Sequence, residues 1–171
     1  MRAIEEMVEI AVPVHTAYNQ WTQFKSFPRF MTTVKRVDQI RPTITRWVIG
    51  FGPIRREFEA EIVEQRPDSH VVWRSLEGRP RHRGEVTFRS TASGGSSVTV
   101  RMQTEPLGGV HVLMSGTGIT RRVVRRELRR FREFMERLGE ECGAWRGTIR
   151  DGRVQAEADP PRCRVPTWPV G

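Results

Sequence analysis

Cysteine is nearly missing from this chain: its 171 residues hold two, Cys142 and Cys163, with no C-x-x-C spacing. That speaks against a disulfide framework and against a cysteine-based zinc site. Lysine is as scarce, two among 29 basic side chains, and there is a single tyrosine. No apolar run approaches the length of a membrane span. The opening Met1-Arg2-Ala3-Ile4-Glu5-Glu6 has no apolar segment and carries two acids, which a secretory signal would not. The expectation is a cytoplasmic protein. Chemistry-bearing motifs are also lacking. His15, His70, His82 and His111 share no metal-ligand spacing, and there is neither a G-x-S-x-G elbow nor a P-loop. No metal or cofactor is expected.

Positive charge is abundant. The net charge is +9, and all but two of the basic residues are arginine. GC-rich coding, which favours arginine over lysine, accounts for this bias as readily as an acidic partner does, so placement carries more weight than the total. Eight arginines and three glutamates fall within residues 121–137. Pairs such as Arg129–Glu133 and Arg132–Glu136 suit a solvated helix face. Arg121, Arg122, Arg125 and Arg126 nevertheless load positive charge near the start of that helix, against its dipole. They are candidates for docking an acidic carrier protein or an anionic membrane surface. Nucleic acid ranks last, because the strands show no exposed stacking aromatics.

The length fits one domain with its own core and a tail. Met7–Val12 alternates acidic and apolar residues as a half-buried strand does, and Pro13 ends it. Ala17, Trp21 and Phe24 recur at helical spacing, and Ser26–Met31 reads as a further helical turn with Pro28 near its start. The period then becomes two. Strands are expected at Val34–Arg41, Thr45–Phe51, Arg55–Gln65, His70–Leu76, Arg81–Arg89 and Ser96–Glu105, separated by short turn-forming links. Such links make an antiparallel meander. Phe58, Ala60 and Ile62 share one face opposite Glu57, Glu59 and Glu61, so one side of the sheet is covered and the other wet. The cover is a helix over Thr120–Leu138, with Val124, Leu128, Phe131, Met135 and Leu138 on one stripe. Val110–Met114, bounded by glycines, reads as a short turn or a lid. Beyond Leu138, a small hairpin is expected around Asp151-Gly152, followed by an extended tail from Asp159. This divides the chain into a domain at 1–138 and a tail at 139–171.

This order of elements resembles the polyketide cyclase/dehydrase and lipid-transfer superfamily, also called START-like, Bet v 1-like or helix-grip. The carrying residues are Val12-Pro13-Val14 leading into Ala17-Tyr18-Asn19-Gln20-Trp21, then Phe27-Pro28-Arg29-Phe30-Met31. Arg56-Glu57-Phe58-Glu59-Ala60-Glu61-Ile62, Val72-Trp73-Arg74-Ser75 and the arginine-rich helix ending Phe131-Arg132-Glu133-Phe134 complete it. Gly143-Ala144-Trp145-Arg146-Gly147 is similar to a tail found in some actinobacterial members. The resemblance implies an α+β fold in which a curved antiparallel sheet of about seven strands grips a long C-terminal helix, with two short helices after the first strand. It also implies an internal cavity, used by relatives for lipids, isoprenoid quinones, plant hormones or aromatic polyketides. Fold alone does not carry function across.

Three functions follow as expectations. The first is binding of a hydrophobic small molecule: a lipid, an isoprenoid quinone or an aromatic polyketide. The second is a polyketide cyclase/dehydratase (aromatase) acting on a carrier-bound chain. The third is an interaction module docking an acidic partner through the basic helix. Period two turns Arg56 to the same side as Phe58, and Ser75 to the same side as Trp73. An inward Arg56 would polarise a ligand carbonyl or stabilise an enolate, unless it pairs internally with Glu77 or Glu85 or reaches the rim. It is the one catalytic candidate. The expected ligand-binding set is Trp21, Trp47, Arg56, Phe58, Trp73, Ser75, Phe88, Leu128 and Phe131. Tyr18 belongs with the aromatics that would stack on a flat ligand or fill the core. Among the histidines, His82 and His111 stand nearest the expected cavity.

Overall fold

The computed structural model describes residues 2–77, 81–105, 117–139 and 146–155. The expected lid at Val110–Met114 with His111, most of the Gly143–Gly147 segment and the tail from Asp159 lie outside them. Strand β1 spans Arg2–Ile10, helix α1 Val14–Trp21, and a 3₁₀ turn Phe24–Arg29. Six strands follow: β2 Val34–Arg41, β3 Ile44–Phe51, β4 Ile54–Arg66, β5 His70–Ser75, β6 His82–Ser90 and β7 Ser96–Thr104. Helix α2 spans Thr117–Leu138, and β8 Ile149–Arg150 and β9 Arg153–Val154 form the hairpin beyond it.

The sheet is antiparallel and runs β1-β7-β6-β5-β4-β3-β2. The meander therefore supplies six neighbouring strands, and the first strand of the chain closes onto the last of them. Strand β4 is the longest at 13 residues, and a bulge between Ile62 and Glu64 bends it. β3 covers β4 only up to Glu61, and β8 pairs further along, at Gln65 opposite Ile149. The β8–β9 turn places Asp151 and Gly152 at φ 51° and 69°, the left-handed pair that a two-residue hairpin needs. With these two short strands the sheet has nine among the described residues.

Helix α2 lies beside β1, and the registers of the two elements explain their contact. Ile4, Glu6 and Ile10 alternate onto the covered face of β1, while Met7 is exposed. From the helix, Leu128, Phe131, Phe134 and Met135 are buried; Leu138, placed by spacing on the same stripe, is exposed. Phe131 meets Trp21 edge-on at 5.2 Å, and Phe30 packs between Phe131 and Phe134. This aromatic cluster is the dry core.

Tyr18 on α1 is fully buried, its ring edge-on to Phe88 at 5.4 Å. Arg146, just before β8, stands over that ring and donates to Asn19 Oδ1 at 2.6 Å and Asp68 Oδ2 at 2.7 Å. Burial pushes the Tyr18 phenol up to about 12, against smaller opposing pulls from Gln65 and Arg146. A raised phenol pKa means that the folded state favours the neutral form. Tyr18 thus contributes its full stability below the ordinary value of 10 and loses it as pH climbs through about 12. Because the chain has one tyrosine, this is directly readable. Tyrosinate absorbance should rise near pH 12 in the folded protein and near 10 in the denatured chain. A folded protein that ionises at the ordinary value would mean that the ring is solvated.

Candidate functional site

Between the sheet and the first turns of α2 lies a cavity of about 280 Å³. Its sheet wall comes from Trp47 and Ile49 on β3, Phe58, Ala60 and Ile62 on β4, Val71 and Trp73 on β5, His82 on β6, and Val100 and Met102 on β7. Trp21, Phe24 and Phe27 close one end, and Val124, Glu127 and Leu128 of α2 form the roof. Most of these side chains are apolar for the same reason that the strands alternate: a one-sided sheet sends every second residue inward.

The aromatic residues are held in fixed orientations. Trp47 and Phe58 face each other across β3 and β4, their rings nearly parallel at 3° with centroids 6.3 Å apart. The Trp47 indole N–H donates to Thr45 Oγ1 at 2.8 Å, and that hydroxyl donates to the Ala60 carbonyl at 3.3 Å. His82 stands edge-on to Phe58 at 4.7 Å. Trp73 lies across Gly84, its cross-strand partner: a Cβ on that glycine would fall 2.0 Å from the ring. Gly84 is therefore the seat on which the Trp73 indole rests.

Of the residues expected at the ligand, Trp21, Trp47, Phe58, Trp73 and Leu128 line the cavity. Four do not. Arg56 shares the inward face of β4 with Phe58, since it pairs with Ile49, but it is exposed beyond the covered part of the strand. The alternation gave its side but not where the cover ends. The Ser75 hydroxyl instead accepts the backbone N–H of His82 at 3.0 Å. Phe88 and Phe131 are buried in the dry core behind Trp21. Tyr18 is likewise a core residue. His15 is exposed, and His70 pairs with Glu64 at 2.9 Å.

Two buried acids were missed. Glu6 of β1 receives Arg125 through Nε and Nη2, both at 3.0 Å, and Arg121 at 3.0 Å. Hydrogen bonding from Arg125 is the main reason its carboxyl lies below the ordinary glutamate value. Glu127 of α2 is taken up with Thr32, Thr33 and Arg126. Three of the four arginines considered for partner docking, Arg121, Arg125 and Arg126, are thus engaged within the chain. Arg122 is exposed, with no ion pair among the described residues. Of the two helix pairs read from spacing, Arg132–Glu136 forms at 3.2 Å.

A curved antiparallel sheet gripping a C-terminal helix over an internal cavity defines the helix-grip, START-like class. The model of the family "Polyketide cyclase / dehydrase and lipid transport" matches residues 10–136, and the chain belongs to that family. It is 40% identical over 149 residues to an uncharacterised 17.2 kDa protein of Streptomyces lincolnensis, covering 87% of this chain and 99% of that one. The crystal structure of Zhui, a Streptomyces aromatase/cyclase, superposes with a TM-score of 0.67 at 12% identity, covering 84% of this chain and 99% of the other. A START superfamily protein from Mycobacterium smegmatis does so at 0.63 and 12%, covering 80% and 95%. At these identities the two structures speak for the fold. No helix among the described residues is long and apolar enough to cross a membrane.

Proposed function

We propose that this protein binds a compact hydrophobic small molecule, with at least one flat ring, in the cavity beneath α2. The observation that carries the reading is the cavity itself, about 280 Å³ and walled by three tryptophans and three phenylalanines. That volume lies just below the usual range of ligand pockets. It suits one or two fused rings better than a full-length lipid or a quinone with its isoprenoid tail. Flat faces such as the Trp47–Phe58 pair favour offset or edge stacking with an aromatic ligand.

The cyclase alternative draws support from the likeness to Zhui. It needs polar groups converging on the ligand, however, and its expected anchor Arg56 stands outside the wall. Docking of an acidic carrier or an anionic membrane through α2 would have to use Arg122, Arg129 and Arg130, because the other basic residues near the helix start already hold Glu6 and Glu127.

Native mass spectrometry of the purified full chain, with solvent extraction of anything bound, tests the binding reading. Quenching of Trp21, Trp47 and Trp73 on titration with aromatic polyketides, quinones and fatty acids extends it. The expected result is an extractable ligand or saturable quenching by ring compounds. A clean apo mass together with no quenching by any of the three classes would overturn it.

A further inference from the structure

Burial along the walls of the cavity falls in one direction. On the inward face of β4, Ile62 and Ala60 are buried, Phe58 is half-buried and Arg56 is exposed. β3 runs antiparallel to it and shows the same gradient, from buried Thr45 to half-buried Trp47 and Ile49. On β7 it runs from Val100 to Met102, and on α2 from Leu128 back to Thr120. The mouth of the cavity therefore lies at the Arg56 end of β4. Deep in the wall, the side-chain oxygens are closed to a ligand. Thr45 Oγ1 is held between Trp47 and Ala60. Glu127 Oε1 accepts from Thr32, Thr33 and Arg126, and Oε2 is covered by protein atoms. Arg56 stands roughly 7 Å past Phe58 along the strand, beside the cavity-lining Ile49. It has no ion pair among the described residues: Glu57, Glu59 and Glu61, which alternate with it, face the other side and pair there with Arg46 and Arg74.

We propose that Arg56 holds a carboxylate at the mouth of the cavity, so that the ligand is an aromatic acid seated ring first, with its carboxylate on a short chain. The proposal rests on the binding reading above and deepens it. A wall whose oxygens are closed gives a buried polar group few partners, and desolvating a charge there is costly. A guanidinium at the rim stays in water until a carboxylate meets it, and its planar fork donates to both carboxylate oxygens. The separation between Phe58 and Arg56 is what calls for a chain: a carboxylate fixed directly to the ring would be drawn into the apolar wall.

Four probes with one ring system test this by calorimetric titration into the full chain: naphthylbutyrate, its neutral analogue naphthylbutanol, naphthoate and methylnaphthalene. At low salt naphthylbutyrate is expected to bind about fivefold more tightly than naphthylbutanol, the upper end for an exposed ion pair. Naphthoate should be the weakest of the four. Raising the salt to about 1 M should shrink the ratio of acid to alcohol affinity towards one. Arg56→Gln should abolish the preference for the acid, and Arg56→Glu should reverse it. Because Arg56 is exposed, both variants should fold, and an unchanged affinity for methylnaphthalene shows that they have. Equal affinities of naphthylbutyrate and naphthylbutanol for the unmodified protein would overturn the proposal. So would a preference for the acid that survives Arg56→Gln, or naphthoate binding as tightly as naphthylbutyrate. Failure of all four probes to bind overturns the binding reading as well, whereas binding of methylnaphthalene without a preference for the acid overturns only the role of Arg56.

Discussion

Phe131→Ala is expected to lose about 3–5 kcal/mol of folding stability, the range for removing a fully buried aromatic side chain. Phe131 has no exposure, and its ring touches both Trp21 and Phe30. Truncation opens a void that the two neighbouring aromatic side chains cannot collapse to fill, so a cavity cost adds to the lost transfer energy. Phe58→Ala makes the informative contrast. Phe58 is half-buried and already borders open space, so its removal widens an existing cavity and should cost roughly half as much or less. Denaturant unfolding of both variants gives the two numbers. Binding of methylnaphthalene should show the reverse order, with Phe58→Ala weakened and the folded fraction of Phe131→Ala unaffected. Equal losses of stability would show that the line between dry core and cavity wall is drawn in the wrong place.

Gly84→Ala is the second large effect. The added carbon would lie 2.0 Å from Trp73 Cζ2 and 2.4 Å from Cε2, well inside van der Waals contact. These atoms belong to a rigid fused ring packed in the wall, so relief requires turning the whole indole off its seat. A destabilisation of about 1–3 kcal/mol is expected from the overpacking. A drop in ligand affinity of about tenfold or more should accompany it, since the displaced ring enters the binding space. A double-mutant cycle isolates the cause. Once Trp73→Ala has removed the indole, adding Gly84→Ala should cost little further in stability or affinity. Full additivity of the two substitutions would refute the seat.

Much of this was legible in the sequence. The alternation of Phe58, Ala60 and Ile62 set the covered face of β4, and the helical recurrence from Val124 to Met135 set the face of α2 that meets it. Turn residues such as Asp151-Gly152 placed the links. Depth was not legible. Period assigns a residue to a side of a sheet, but whether it meets packed rings, open space or solvent depends on where the cover ends. Phe88, Phe58 and Arg56 share the inward side of the sheet, yet Phe88 meets packed rings, Phe58 open space and Arg56 solvent. The polar part of the site carried signals that were available. Glu127 stands three residues after Val124 and four before Phe131, on the apolar stripe itself, and Glu6 interrupts the inward series Ile4, Val8, Ile10. Gly84 breaks an otherwise regular strand, the mark of a close approach in a sheet.

The two ends of α2 are secured by different forces. Toward its C-terminal end the helix is joined to the body by Phe131, Phe134 and Met135, a weld of oil against oil that salt does not weaken. Near its start, Arg121 and Arg125 meet a single carboxylate from β1, a clasp that dissolved ions compete for. The half that can be unfastened by ionic strength is the half that roofs the cavity. Raised salt is therefore expected to loosen the roof of the cavity before it touches the packing that holds the rest of the helix.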